Sequence, residues 1–165
     1  MTTEKDQAQN PSRLIEIELD EASIGTNALE AGHERKVAIF DLLEENHFEL
    51  VNGPAGPYRL RISMPEHRLA FAVTAGDAQE PSATFLLSLN PFHRVVKDYF
   101  LVLGNYFEAI KSAPPSRIEA LDMGRRALHD EGSKLLAERL HGKVAMDVPT
   151  SRRLFTLICA LRWKG

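Results

Sequence analysis

Thiols are almost absent from this sequence. Cys159 is its one cysteine in 165 residues, so no intrachain disulfide can form and nothing calls for an oxidising compartment. It lies in the apolar run Leu157-Ile158-Cys159-Ala160-Leu161, where a small buried hydrophobe is expected rather than a reactive thiol. Long hydrophobic runs are missing as well: no stretch approaches the ~20 apolar residues that span a bilayer, and the N-terminus MTTEKDQAQNPS lacks the apolar region of a secretory leader. These absences predict a cytoplasmic protein without a membrane partner. Local signatures of common chemistries are also lacking. There is no Walker loop, no Gly-x-Gly-x-x-Gly and no Gly-x-Ser-x-Gly. The histidines, His33, His47, His67, His93, His129 and His141, show no His-Glu-x-x-His spacing, and a lone cysteine cannot build a structural zinc site. No metal and no cofactor is therefore expected.

What remains is an ordinary globular composition, 44% hydrophobic and 26% charged, at a length suited to one domain with its own core. The formal net charge of -3 hides an asymmetry. Residues 1 to 90 carry 7 Lys+Arg against 15 Asp+Glu, and residues 91 to 165 carry 13 against 8. Basic residues are interleaved with acids along amphipathic segments rather than gathered into one stripe. The two halves are expected to neutralise each other on folding, and nucleic acid is a less favoured partner than a protein, a second copy or an anionic small molecule.

Residues 1 to 12 are polar and read as a mobile tail; residues 13 to 165 read as a single α+β domain. From Leu14 the pattern has period two, with Ile15, Ile17 and Leu19 on one face and Glu16 and Glu18 on the other, as in a half-buried strand. From about Leu29 to Asn46 the period changes, and Val37, Phe40 and Leu43 mark the apolar face of a helix. Phe48 to Val51 suits a short strand. After the punctuation Asn52-Gly53-Pro54-Ala55-Gly56-Pro57, three strands follow as a meander, carrying Tyr58, Leu60 and Ile62, then Leu69, Phe71 and Val73, then Phe85, Leu87 and Leu89 inward. If the first strand lies beside residues 58 to 63, Glu16 and Glu18 share a face with Arg59 and Arg61, an alignment favoured by ~0.2 to 1 kcal/mol per opposite-charge pair.

The rest has helical periodicity. Asn90-Pro91 suits a cap and first turn, and Val95, Val96, Tyr99, Phe100, Leu103, Phe107 and Ile110 form a core face that ends before Pro114-Pro115. Ser116-Arg117-Ile118-Glu119 fits a capping box for a helix running toward His141-Gly142. Gly132 could end that helix and Ser133 cap another, and the sequence leaves the two alternatives open. Residues 143 to 148 suit a short strand, and Pro149 opens a last helix whose run Leu154 to Leu161 belongs in a core. The expected fold is an antiparallel sheet of about four to five strands packed against C-terminal helices.

The densest polar constellation is Asp122, Arg125, Arg126 and His129, on one face of the helix that starts at Ser116, with Glu131 just beyond. Asp122 can orient a guanidinium, and the imidazole is then free to exchange a proton or contact an anion near neutral pH. A guanidinium pair beside it suits phosphate or carboxylate. The simpler account is a solvated face knitted by local ion pairs. Gly124, interior to this helix, costs about 1 kcal/mol relative to alanine and points to close helix approach. A second constellation is Arg94, Lys97, Asp98 and Tyr99, with Arg152 and Arg153 as company in an anion site.

Several blocks also carry a resemblance. They are Ser12-Arg13-Leu14-Ile15-Glu16-Ile17-Glu18-Leu19-Asp20, His33-Glu34-Arg35 with Phe40-Asp41-Leu42-Leu43-Glu44-Glu45-Asn46, and Gly56-Pro57-Tyr58-Arg59-Leu60-Arg61-Ile62. The more distinctive ones are Arg94-Val95-Val96-Lys97-Asp98-Tyr99-Phe100, Asp122-Met123-Gly124-Arg125-Arg126 through His129 to Glu131-Gly132, and Arg152-Arg153-Leu154-Phe155-Thr156-Leu157. On these the chain resembles the uncharacterised bacterial protein family UPF0262 over nearly its whole length. His93 stands where an arginine is expected, and the residues before Ser12 look like an extension. The resemblance implies no reaction. The expected function is that of a binding or regulatory protein without catalytic activity, because no motif combines nucleophile, base and oxyanion donors. The alternative is an enzyme acting on a phosphorylated or carboxylated small molecule through the Arg/His face.

Overall fold

The computed structural model describes residues 10–24, 29–161 and 163. It contains β1 (Leu14–Leu19), α1 (Leu29–Glu44), β2 (Phe48–Leu50), β3 (Tyr58–Ser63), β4 (Arg68–Ala75), β5 (Ala83–Ser88), α2 (Asn90–Ser112), α3 (Pro115–Arg139), β6 (Val144–Met146) and α4 (Val148–Cys159), with a 3₁₀ turn at Glu21–Ser23. Of the predicted tail, residues 1–9 lie outside the described residues. Ser12 is already tied in, its carbonyl accepting from the Phe48 amide at 3.0 Å.

The fold is α+β. Four strands form one sheet in the order β1-β3-β4-β5, and β2 pairs with β6 in a second, two-stranded sheet. The meander β3-β4-β5 is antiparallel as its short connections require, but β1 joins β3 in parallel, so the larger sheet is mixed. The connection between them contains α1, and a parallel crossover needs such a connection. The predicted neighbours do meet: Glu16 lies opposite Arg59 and Glu18 opposite Arg61. Their guanidinium groups bond elsewhere, however. Arg61 donates to Asp20 at 2.9 Å, and Arg59 donates to the Gly76 carbonyl at 2.9 Å and to that of Ala78.

Alternation in β1 does not run through the whole strand. A register irregularity between Leu14 and Glu16 turns Leu14 fully inward and leaves Ile15 45% exposed, while Ile17 and Leu19 stay inside. Buried Asn46 anchors this end: its side chain accepts from the Leu14 amide at 2.7 Å and donates to the carbonyls of Leu14 and Leu42. With Tyr58, Leu60, Ile62, Leu69, Phe71, Val73 and Leu87, these side chains form the sheet's share of the core.

The helical part differs from expectation at its ends and on two faces. Asn90 is the first residue of α2 rather than its cap, and no side chain caps that helix. α3 starts at Pro115, one residue before Ser116, so the serine lies inside the first turn and the predicted capping box does not form. Of α2, α3 and α4, the last has a capping side chain, Asp147 accepting from the Thr150 amide at 3.0 Å. Among the described side chains of α1 the buried ones are Ala38 and Leu42, whereas Val37 and Phe40 are exposed, Phe40 by 64%. On α2, Phe92 joins the core and Ile110 faces solvent.

α3 passes through Gly132 without a break. A Cβ there would sit 2.1 Å from the Phe155 ring, so glycine lets α4 approach closely. Small buried residues line the same crossing. Ser151 donates to the Ser133 carbonyl at 2.8 Å; on the other side of α4, Thr150 accepts from the His47 amide at 3.0 Å and ties the helix to the segment between α1 and β2. Gly124, by contrast, has only ordinary contact with Val102 at 3.7 Å, so the close approach predicted there is made eight residues later. No helix among the described residues is long and apolar enough to cross a membrane.

Candidate functional site

The α3–α4 crossing and the adjacent wall of α1 enclose an open cleft of about 330 Å³. The helical spacing of α3 brings Arg125, Arg126 and His129 into it, with Asp122 just behind. Asp122 accepts from Arg125 at 2.6 Å and from Nε of Arg126 at 3.1 Å, so one carboxylate orients both guanidinium groups. The bond from Arg125, with support from Arg126, holds the Asp122 carboxyl below its ordinary pKa. Arg125 also lies over the Tyr106 ring, 5.5 Å from its centroid. Burial opposes its charge, but the bond to Asp122 and the nearby Tyr99 outweigh this and raise its pKa.

His129 does not behave as an exposed imidazole. It packs edge-on against Tyr99 and Phe155, with ring centroids 5.6 and 5.3 Å away. Its Nε2 lies 2.7 Å from the Thr156 hydroxyl, and that hydroxyl donates to the Arg152 carbonyl at 3.3 Å. With its one hydrogen so directed, Thr156 accepts from Nε2–H, and Nδ1 is left as a buried acceptor with no partner among the described residues. Burial, reinforced by Arg152 and Arg125, lowers the His129 pKa to about 4. Burial thus favours the neutral form of this ring, and the expected proton exchange near neutral pH gains no support from its surroundings.

The second constellation divides. Arg94 forms ion pairs with Asp98, at 3.1 Å, and with Glu131, while Lys97 is exposed. Tyr99, Arg152 and Arg153 instead join the first constellation in the cleft. Arg152 pairs with Asp130 across the α3–α4 crossing. Arg153 donates to the Glu45 carbonyl at 3.3 Å and has no carboxylate partner among the described residues.

Sequence reasoning left out the opposite wall. From α1, Glu34 and Asp41 face the cleft with Val37 and Ala38 between them, and His33 stands at its rim. Tyr99, only 2% exposed, donates to Glu34 at 3.3 Å. Burial raises the Glu34 carboxyl pKa despite that bond and the nearby Arg125. Burial and the Glu34 charge push the Tyr99 hydroxyl upward, and burial does the same to the Cys159 thiol. The available signal was the seven-residue spacing of Glu34 and Asp41, which puts both on one helix face. Nothing local said which face met the arginines.

Among the described residues, direct ion pairing between the acidic and basic halves, as expected from composition, does not form. Among the described residues each ion pair joins partners within one half: Arg61 with Asp20, Lys111 with Glu108, and those already given on α2, α3 and α4. The halves meet across the cleft, with charges of both signs on its walls. No group of three or more metal-ligating side chains is assembled among the described residues.

Fold and cleft together define an α+β protein with an arginine-rich, helix-lined pocket. By sequence comparison, residues 11–164 match the pattern described as Uncharacterised protein family (UPF0262). The chain belongs to this family. It is 55% identical over 155 residues to the UPF0262 protein of Brucella anthropi, covering 93% of this chain and 96% of the relative. It is 54% identical over 158 residues to that of Mesorhizobium japonicum, covering 95% and 97%. With that of Chelativorans sp. it shares 56% identity over 154 residues, covering 93% and 94%. No solved structure matches the fold.

Proposed function

We propose that this protein is a cytoplasmic binding or regulatory protein that holds a small anion, a phosphate or carboxylate group, in the cleft between α1, α3 and α4. The observation that carries this reading is the convergence of Arg125, Arg126, Arg152 and Arg153 from two helices on one concavity. Guanidinium forks match the oxygens of phosphate and carboxylate, and a cleft partly shielded from water strengthens each bond. Arg126 and Arg153 are the donors with most freedom. The former is 68% exposed in its side chain, and the latter lacks a carboxylate partner among the described residues.

Binding is favoured over the enzymatic alternative because a neutral, hydrogen-bonded His129 serves better to shape the floor than to shuttle protons. The lone buried cysteine supports the cytoplasmic address. The test is a thermal-shift titration with inorganic phosphate, pyrophosphate and citrate, on the wild type and on Arg126→Ala/Arg153→Ala. Stabilisation of about 2.7 kcal/mol is expected once a ligand reaches a hundred times its Kd, and its loss is expected in the variant. Silence of all three anions with the wild type, or equal shifts in the variant, would overturn the reading. Turnover of a bound phosphate ester would instead favour the enzyme.

A further inference from the structure

Resting on that reading, we infer that the ligand is an ampholyte, with an anionic group for the arginine wall and a cationic group for Glu34 and Asp41 on α1. The two walls of the cleft carry opposite signs. Glu34 and Asp41 come from one face of α1, and the four arginines from α3 and α4. Opposite charges on facing walls attract one another. Here Asp41 has no side-chain ion pair or hydrogen bond among the described residues, and Glu34 is held only by Tyr99. Arg153 bonds a main-chain carbonyl, Arg125 and Arg152 pair with Asp122 and Asp130 on α3, and Arg126 shares Asp122 through Nε while its side chain stays largely exposed.

The walls thus form no direct ion pair with each other among the described residues, although Arg125 is near enough to Glu34 to be felt, and each keeps unused capacity. A purely anionic ligand would meet attraction from one wall and repulsion from the other. An ammonium or similar cation beside the anionic group turns that repulsion into a second contact and fixes the ligand's orientation across the cleft. A partly buried carboxylate such as Glu34, whose charge burial disfavours, gains most from an approaching cation. The volume of about 330 Å³ admits a small metabolite.

The matched probes are O-phospho-L-serine and L-glycerate 3-phosphate, which share their configuration and differ by an ammonium in place of a hydroxyl. Calorimetric titration at neutral pH is expected to give phosphoserine an affinity about 10-fold higher. In Asp41→Asn/Glu34→Gln the two probes are expected to bind alike, with glycerate 3-phosphate binding at least as tightly as to the wild type. Arg153→Ala should weaken both together. Thermal melts of each variant check that it folds. Equal affinity of the wild type for the two probes, or a preference that survives Asp41→Asn/Glu34→Gln, overturns the ampholyte while leaving the anion site intact. Failure of inorganic phosphate and of both probes to bind removes the anion site, and the ampholyte with it.

Discussion

The two halves of α3 share one continuous helix and live in different surroundings. From Pro115 to Glu131 no residue is fully buried, whereas Gly132, Ser133 and Leu136 enter the core. Each half holds a glycine, and the contrast between them is instructive. Gly132 is required by the Phe155 ring, and Gly124 meets nothing closer than ordinary contact. A helix-interior glycine is thus not by itself a sign of close packing. The candidate site falls on the exposed side of that boundary, where Asp122 rather than the packed half orients Arg125 and Arg126.

The largest expected effect breaks the packed half. Gly132→Ala should lower stability by about 3 kcal/mol, since the added carbon meets an aromatic ring that is itself enclosed; chemical denaturation measures it, and an unchanged midpoint would refute the close crossing. Next comes the junction. The His129 pKa falls to about 4 in the folded protein from an ordinary 6.5, so the unfolded chain binds the proton first. Stability should therefore fall by about 2 to 3 kcal/mol as pH drops from 6.5 to 4, with the full contribution of the neutral ring present above that window. His129→Gln should flatten this part of the pH–stability profile, and an unaltered slope would show that another group is responsible.

Smaller effects sharpen the contrast. Gly124→Ala should raise stability by up to about 1 kcal/mol, opposite in sign to the same change at Gly132. The smallest concerns the outer face of the sheet. A double-mutant cycle on Asp20 and Arg61, an exposed ion pair, should give a coupling below about 1 kcal/mol, and a cycle on Glu18 and Arg61 less still, because Arg61 bonds Asp20.

Local pattern carried much of the fold. The strands β3, β4 and β5 and the helices α2 and α4 follow from periodicity and proline punctuation, since these act within a few residues. Facing assignments failed where a tertiary contact intervened. Ile15 was displaced by the irregularity in β1, and Phe40 and Val37 were left outside because Ala38 and Leu42 pack inward. The capping box at Ser116 gave way to Pro115, whose fixed backbone starts the helix earlier. Of the candidate site, Asp122, Arg125, Arg126 and His129 were legible because helical spacing alone groups them. The charge state of His129 was not, since it depends on Tyr99, Phe155 and Thr156, which reach it from two other helices.

By itself the sequence determined the class of the fold, the order of its elements and the one-sided clustering of arginines on α3, all consequences of spacing along a chain. The tertiary structure alone decided that α1 turns Glu34 and Asp41 toward those arginines, and that Arg152 and Arg153 complete the cleft. Those pairings depend on how helices distant in sequence cross, which is governed by the shapes of Gly132, Phe155 and their neighbours rather than by any local periodicity.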